Sequence, residues 1–83
     1  MRQIACVGDP HLCAIHGPNV IIEGGSAVQD GRPVARLGDK CACGCVIVEG
    51  WPAVTCDGRP VAFTGARTTG GAIGPGLGRA VLA

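Results

Sequence analysis

Glycine and proline interrupt this chain so often that no stretch free of both exceeds seven residues, the longest running from Met1 to Val7. An isolated helix needs about 12–15 residues before propagation offsets the cost of nucleation. Helix is therefore excluded, and strands of four to six residues between breakers predict an all-β fold with tight turns. Fifteen Gly and six Pro among 83 residues would by themselves suggest low complexity, but fifteen Val and Ile are interleaved with them and no collagen period is present. The chain reads as one small domain over residues 1–83. Trp51 and Phe63 are its only aromatics, so the core is thin and built from small side chains. A domain of this size is expected to carry a staple.

Charge and hydropathy remove several functions. A net charge of +1 with 16% charged residues leaves no basic face for a run of phosphates, so nucleic acid is not expected as a partner. Met1-Arg2 lead into no apolar signal segment, and nothing approaches the roughly 20 apolar residues of a membrane span. The expectation is a protein made in the reducing cytoplasm without a signal peptide.

An internal repeat organises the chain. Asp30-Gly31-Arg32-Pro33-Val34-Ala35-Arg36-Leu37-Gly38-Asp39 recurs at an offset of 27 as Asp57-Gly58-Arg59-Pro60-Val61-Ala62-Phe63-Thr64-Gly65-Ala66. Val20-Ile21-Ile22-Glu23-Gly24 recurs as Val46-Ile47-Val48-Glu49-Gly50, and Ile4 to Pro10 reads as the end of an earlier copy. Three arms follow, after Asp9, Asp39 and Ala66. Each Asp-Gly is a type I′ hairpin signal, predicting strands near 26–29 with 32–37 and near 53–56 with 59–64. Three such arms about a pseudo-threefold axis would bury a narrow apolar interior.

Nearly all metal-capable side chains fall in two of the arms. The first carries His11, Cys13 and His16; the second carries Cys41, Cys43 and Cys45; the third has Thr68-Thr69-Gly70-Gly71 and no ligand. Zinc takes four Cys or His donors, commonly from two close pairs. Disulfides are the alternative for an even cysteine count, but a reducing compartment opposes them, and Cys41, Cys43 and Cys45 lie too close together to pair without strain. Cys6 and Cys56 stand apart as packing thiols. A Cys13–His16 nucleophile pair is the one enzymatic alternative. The six acids sit at repeat-equivalent turns and strand ends, so no catalytic carboxylate pair is read and the protein is not expected to be an enzyme.

At Arg32-Pro33-Val34-Ala35-Arg36-Leu37-Gly38-Asp39 and its echo from Arg59 to Gly65, the chain resembles the PAAR-repeat family. The resemblance runs from about Gly8 to about Gly74. It departs where Val34 replaces the first alanine of the motif, Phe63 the arginine and Ala66 the aspartate. The resemblance implies a small conical pseudo-threefold β-structure of short hairpins with a metal site at the apex. It also implies a structural role: capping and sharpening the trimeric spike of a contractile injection machine, type VI secretion first, for puncture of a target membrane met only transiently. The partner implied is a trimeric spike protein of the VgrG or phage-spike type, one tip per trimer, with effector proteins as further cargo. A phage tail, an extracellular injection particle and a free-standing zinc module are the alternatives. Such a tip waits in the bacterial cytoplasm until fired out of the cell.

Cys13 and Cys43 are the ligands carried over from the resemblance, and Gly70 is the corresponding loss. His16 and Cys45 are expected to complete a zinc site, with His11 and Cys41 as substitutes on the assumption that residues 41–45 run extended, all three thiols to one side. Val34, Ala35, Val61 and Ala62 are expected to make or support the spike contact.

Overall fold

A computed structural model describes residues 3–29 and 31–74, and the regular structure in them is entirely β. In chain order the strands are β1 (Pro10–Cys13), β2 (Gly17–Val20), β3 (Val28–Gln29), β4 (Arg32–Pro33), β5 (Trp51–Cys56), β6 (Arg59–Val61) and β7 (Gly71–Ile73). β1 lies between β2 and β7, antiparallel to both, while β3–β4 and β5–β6 are separate two-stranded hairpins.

The pseudo-threefold repeat is written in the backbone. Ala5 N–H donates to Ala62 C=O, Ala62 to Ala35 and Ala35 back to Ala5, at 2.9–3.0 Å, closing a ring in which each repeat supplies one donor and one acceptor. A second cyclic set runs from Val7 to Pro33, Leu37 to Pro60 and Thr64 to Gln3. The Gly8, Gly38 and Gly65 amides donate in turn to Ile21, Ile47 and Ile73. Those three glycines all have φ of 90–93°, where a Cβ is disfavoured, which is why the arms share a glycine although only two retain the aspartate after it.

This ring explains why the hairpins end earlier than predicted. Beyond Val34, which still exchanges backbone bonds with Gly25 and Ala27, and beyond Val61, the chain leaves its hairpin partner to join the neighbouring repeats, so pairing expected to reach residues 37 and 64 stops short. The type I′ turn is present at Asp57-Gly58, whose φ values are 53° and 80°. Asp30 of the other turn lies outside the described residues; its neighbour Gly31 has φ 77°. The segment from residue 10 to residue 20, for which no hairpin is predicted, forms one, and β7, distant in sequence, pairs on the other side of β1.

Small side chains fill the axis. Ala5, Ala35 and Ala62 are fully buried in the main cluster with Ile21, Ile47 and Ile73, and Phe63 meets Trp51 edge to face at 6.3 Å. Cys6 and Cys56 pack with Val34 and Val61 in a second cluster, and no described cysteine is in a disulfide. Val34, Ala35, Val61 and Ala62 are thus all interior, 5% exposed or less. They brace the ring from within, and a docking partner would meet other residues.

The substitutions in the third repeat are linked. Asp9 and Asp39 are buried, and each carboxylate accepts the N–H three residues before it, from Cys6 and Arg36. Asp39 is also paired with the Arg36 guanidinium at 2.9 Å. Asp9, with Cys6 at the position of that arginine, is paired instead with Arg32 of the next repeat at 3.6 Å, so each of these buried carboxylates has a cation beside it. Where Phe63 takes the place of Arg36, Ala66 takes the place of the aspartate, and both join the apolar core.

Asp57 ties the second hairpin to the first. Its carboxylate accepts from Ser26 Oγ at 2.6 Å and Ser26 N–H at 2.8 Å and pairs with Arg36 at 3.3 Å. The Ser26 bonds, with Arg36 adding to them, hold the carboxyl below its usual value of 3.8. A folded value below the unfolded one means that this stabilisation is complete above the unfolded value and is lost as pH falls through the lower folded one. Asp57→Asn, which tolerates the left-handed backbone, is expected to lower the melting temperature at neutral pH and flatten its acid decline. Melts from about pH 2 to 7 check this, and identical curves for both proteins would show the contact to be idle.

Candidate metal centre

The turns of the three arms converge, and their side chains form layers along the pseudo-threefold axis. Counting from Gly8, Gly38 and Gly65, equivalent positions hold His11, Cys41 and Thr68 in one layer and Cys13, Cys43 and Gly70 in the next. The first layer is buried in all three arms. In the second, Cys13 and Cys45 are buried, Cys43 is half-buried and His16 is exposed.

Among the described residues, Cys13, His16, Cys43 and Cys45 form one group whose ligand atoms all lie within 4.8 Å of one another. His11 and Cys41, the expected substitutes, are not in it. Cys13 Sγ is 3.5 Å from His16 Nδ1 and 3.8 Å from Cys45 Sγ. A tetrahedron with Zn–S about 2.3 Å and Zn–N about 2.0–2.1 Å has edges of about 3.8 Å between sulfurs and about 3.6 Å between sulfur and nitrogen. These two separations match it, and three thiols with one imidazole make a soft donor set suited to zinc.

Each arm shapes this group differently. In the first, β1 delivers Cys13 and a turn returns His16 beside it, so that His16 N–H donates to Cys13 Sγ at 3.3 Å. That backbone bond, with help from the His16 ring, lowers the Cys13 thiol from 9.0 to about 6, toward the thiolate a metal requires. In the second arm the expected extended run is a tight turn: Gly44 has φ 94° and donates to Cys41 C=O, while Cys41 N–H donates to Cys45 C=O. The turn separates the three thiols. Cys43 and Cys45 reach the group, whereas burial pushes Cys41 up to about 11. The Cys45 thiol is raised, chiefly by its hydrogen bond with Cys43.

The third arm supplies room instead of a ligand. A Cβ on Gly70 would stand 2.6 Å from Cys45 Sγ and 3.0 Å from Cys13 Sγ. Glycine is thus what lets Cys45 and Cys13 approach where a third symmetric ligand would have stood. Gly70, a lost ligand by alignment, is thus a spacer, and Thr68 and Asn19, at positions equivalent to ligand-bearing ones in the other arms, hydrogen-bond His11 beside the group.

A sequence profile of the PAAR motif matches residues 1–49, more than half of the chain. The chain belongs to the PAAR-motif family. The match includes both arms that provide the four donors, and comparison with curated proteins gives no match. PAAR-motif proteins are structural and are associated with the spikes of contractile injection systems, which gives this all-β chain, with its Cys/His cluster able to hold a metal ion, a spike-tip role.

Proposed function

We propose that this PAAR protein is a non-enzymatic tip, held together by one zinc ion, that seats on a trimeric spike protein of a type VI secretion system, one tip per trimer. The observation that carries this reading is the cyclic pairing of Ala5, Ala35 and Ala62. It gives a single chain the symmetry of a three-chain partner, so three similar surfaces can meet three identical subunits. A free-standing zinc module has no need of matched arms. Cys13 and His16 from the first arm and Cys43 and Cys45 from the second would hold the zinc, which when bound cross-links the two arms. In this reading the chain stays in the bacterial cytoplasm until firing carries it through a target membrane, alone or with effector proteins.

The hairpins β3–β4 and β5–β6 support the docking half of the proposal. Each is only two strands wide, and Val28 and Val54 are exposed on them. Paired with the end of a spike, such edges would no longer be an aggregation hazard. Mixing the tip with its candidate spike and measuring mass by light scattering is expected to give one tip per spike trimer. Three tips per trimer, or no complex with a type VI spike beside a stable one with a phage spike, would overturn the assignment.

A further inference from the structure

His11 is fully buried in the layer beneath the metal group, and both of its ring nitrogens are engaged. Nδ1 lies 3.2 Å from Asn19 Oδ1 and 3.7 Å from Cys43 Sγ. Nε2 lies 2.6 Å from Thr68 Oγ1. The partners fix the direction of these bonds. Asn19 Nδ2 donates to Gly17 C=O at 3.0 Å, so the amide oxygen is the atom that faces His11, and an oxygen without hydrogen can only accept. Nδ1 therefore carries the hydrogen. Thr68 Oγ1 already accepts from Gly71 N–H at 2.9 Å, which leaves its own hydrogen free to point at Nε2.

We infer that His11 is not a reserve ligand but a positioning residue: its ring is clamped by Asn19 and Thr68, and its one Nδ1–H, shared between Asn19 Oδ1 and the Cys43 sulfur, fixes that sulfur for metal binding. The inference rests on the proposed metal site and adds to it a fixed outer donor linking all three arms: His11 from the first, Cys43 from the second and Thr68 from the third. A ligating nitrogen needs a free lone pair directed at the metal. Nδ1, the His11 nitrogen nearest the group, has none, and Nε2 is turned toward Thr68. An N–H donated to a metal-bound thiolate withdraws charge from the sulfur and restrains its rotamer. Groups in this outer position typically change metal affinity about 10–100-fold when removed. Cys43 has most need of such a restraint, being the least buried of the three sulfurs.

The test uses the full chain titrated with cobalt(II) as a spectroscopic stand-in for zinc. Wild type is compared with His11→Phe, which removes the donor, and His11→Gln, whose side-chain amide can restore it. Wild type is expected to bind one cobalt with tetrahedral absorption. His11→Phe is expected to keep the tetrahedral spectrum, bind about 10–100-fold more weakly and shift the sulfur-to-cobalt charge-transfer band, and His11→Gln is expected to recover much of both. In the zinc-loaded wild type, nitrogen-15 spectra are expected to show the hydrogen on Nδ1, a readout that does not depend on either variant folding. An unshifted band with affinity within twofold of wild type in His11→Phe would overturn the inference, as would a hydrogen on Nε2 with Nδ1 bound to metal. Absence of cobalt or zinc binding by wild type would instead overturn the metal site itself.

Discussion

Removing the metal with a strong chelator at neutral pH is expected to lower the melting temperature by roughly 15–30 °C. The size follows from linkage: a ligand present at about 1,000 times its dissociation constant adds about 4 kcal/mol to the native state, and in a domain of 60–100 residues each kcal/mol moves the midpoint by about 4–8 °C. The interior gives a physical reason to expect so large a dependence. Its axis is lined by three alanines and three isoleucines, and its one aromatic contact is Trp51 on Phe63. The unfolded chain has no preformed site, so free energy of binding becomes free energy of folding. Calorimetry before and after chelation, with metal content measured on both samples, checks this. An unchanged transition after confirmed metal loss would show that the cyclic backbone pairing suffices.

The second large effect concerns which side chains hold the ion. Cys13→Ser together with Cys43→Ser removes one donor from each arm and leaves His16 and Cys45 unable to complete a tetrahedron, so metal retained after gel filtration is expected to fall from one per chain to nearly none. Cys41→Ser is the control. Cys41 is fully buried, outside the donor group, with its thiol raised to about 11, so this variant is expected to melt earlier and yet retain its metal. Full occupancy in the double variant would move the site to His11 and Cys41.

What was legible in the sequence was whatever the repeat could align. The Gly8, Gly38 and Gly65 turns, the equivalence of Ala5, Ala35 and Ala62, and the clustering of ligands in two arms all follow from matching strings. What was not legible depends on contacts between arms. Nothing local announces that Gly71–Ile73 pairs with His11–Cys13, nor that Val34 and Val61 are where the hairpins give way to the ring. Alternation along residues 41–45 failed because Gly44, at φ 94°, turns the segment back on itself. Val34, Ala35, Val61 and Ala62 stood out because they repeat, and repetition there reflects a shared interior position. Gly70 was the reverse case, a residue noted for lacking a side chain where the absent atom is the contribution.

The closed ring also sets an order on how the molecule can be made. Ala5 must wait for Ala62, and β1 must wait for β7, so the earliest strand cannot be completed until Ile73 has left the ribosome. The four metal donors have all emerged once Cys45 is out. Were a metal ion bound at that stage, it would staple the first two arms together while the third is still being synthesised, leaving that arm only to close over a wedge already assembled.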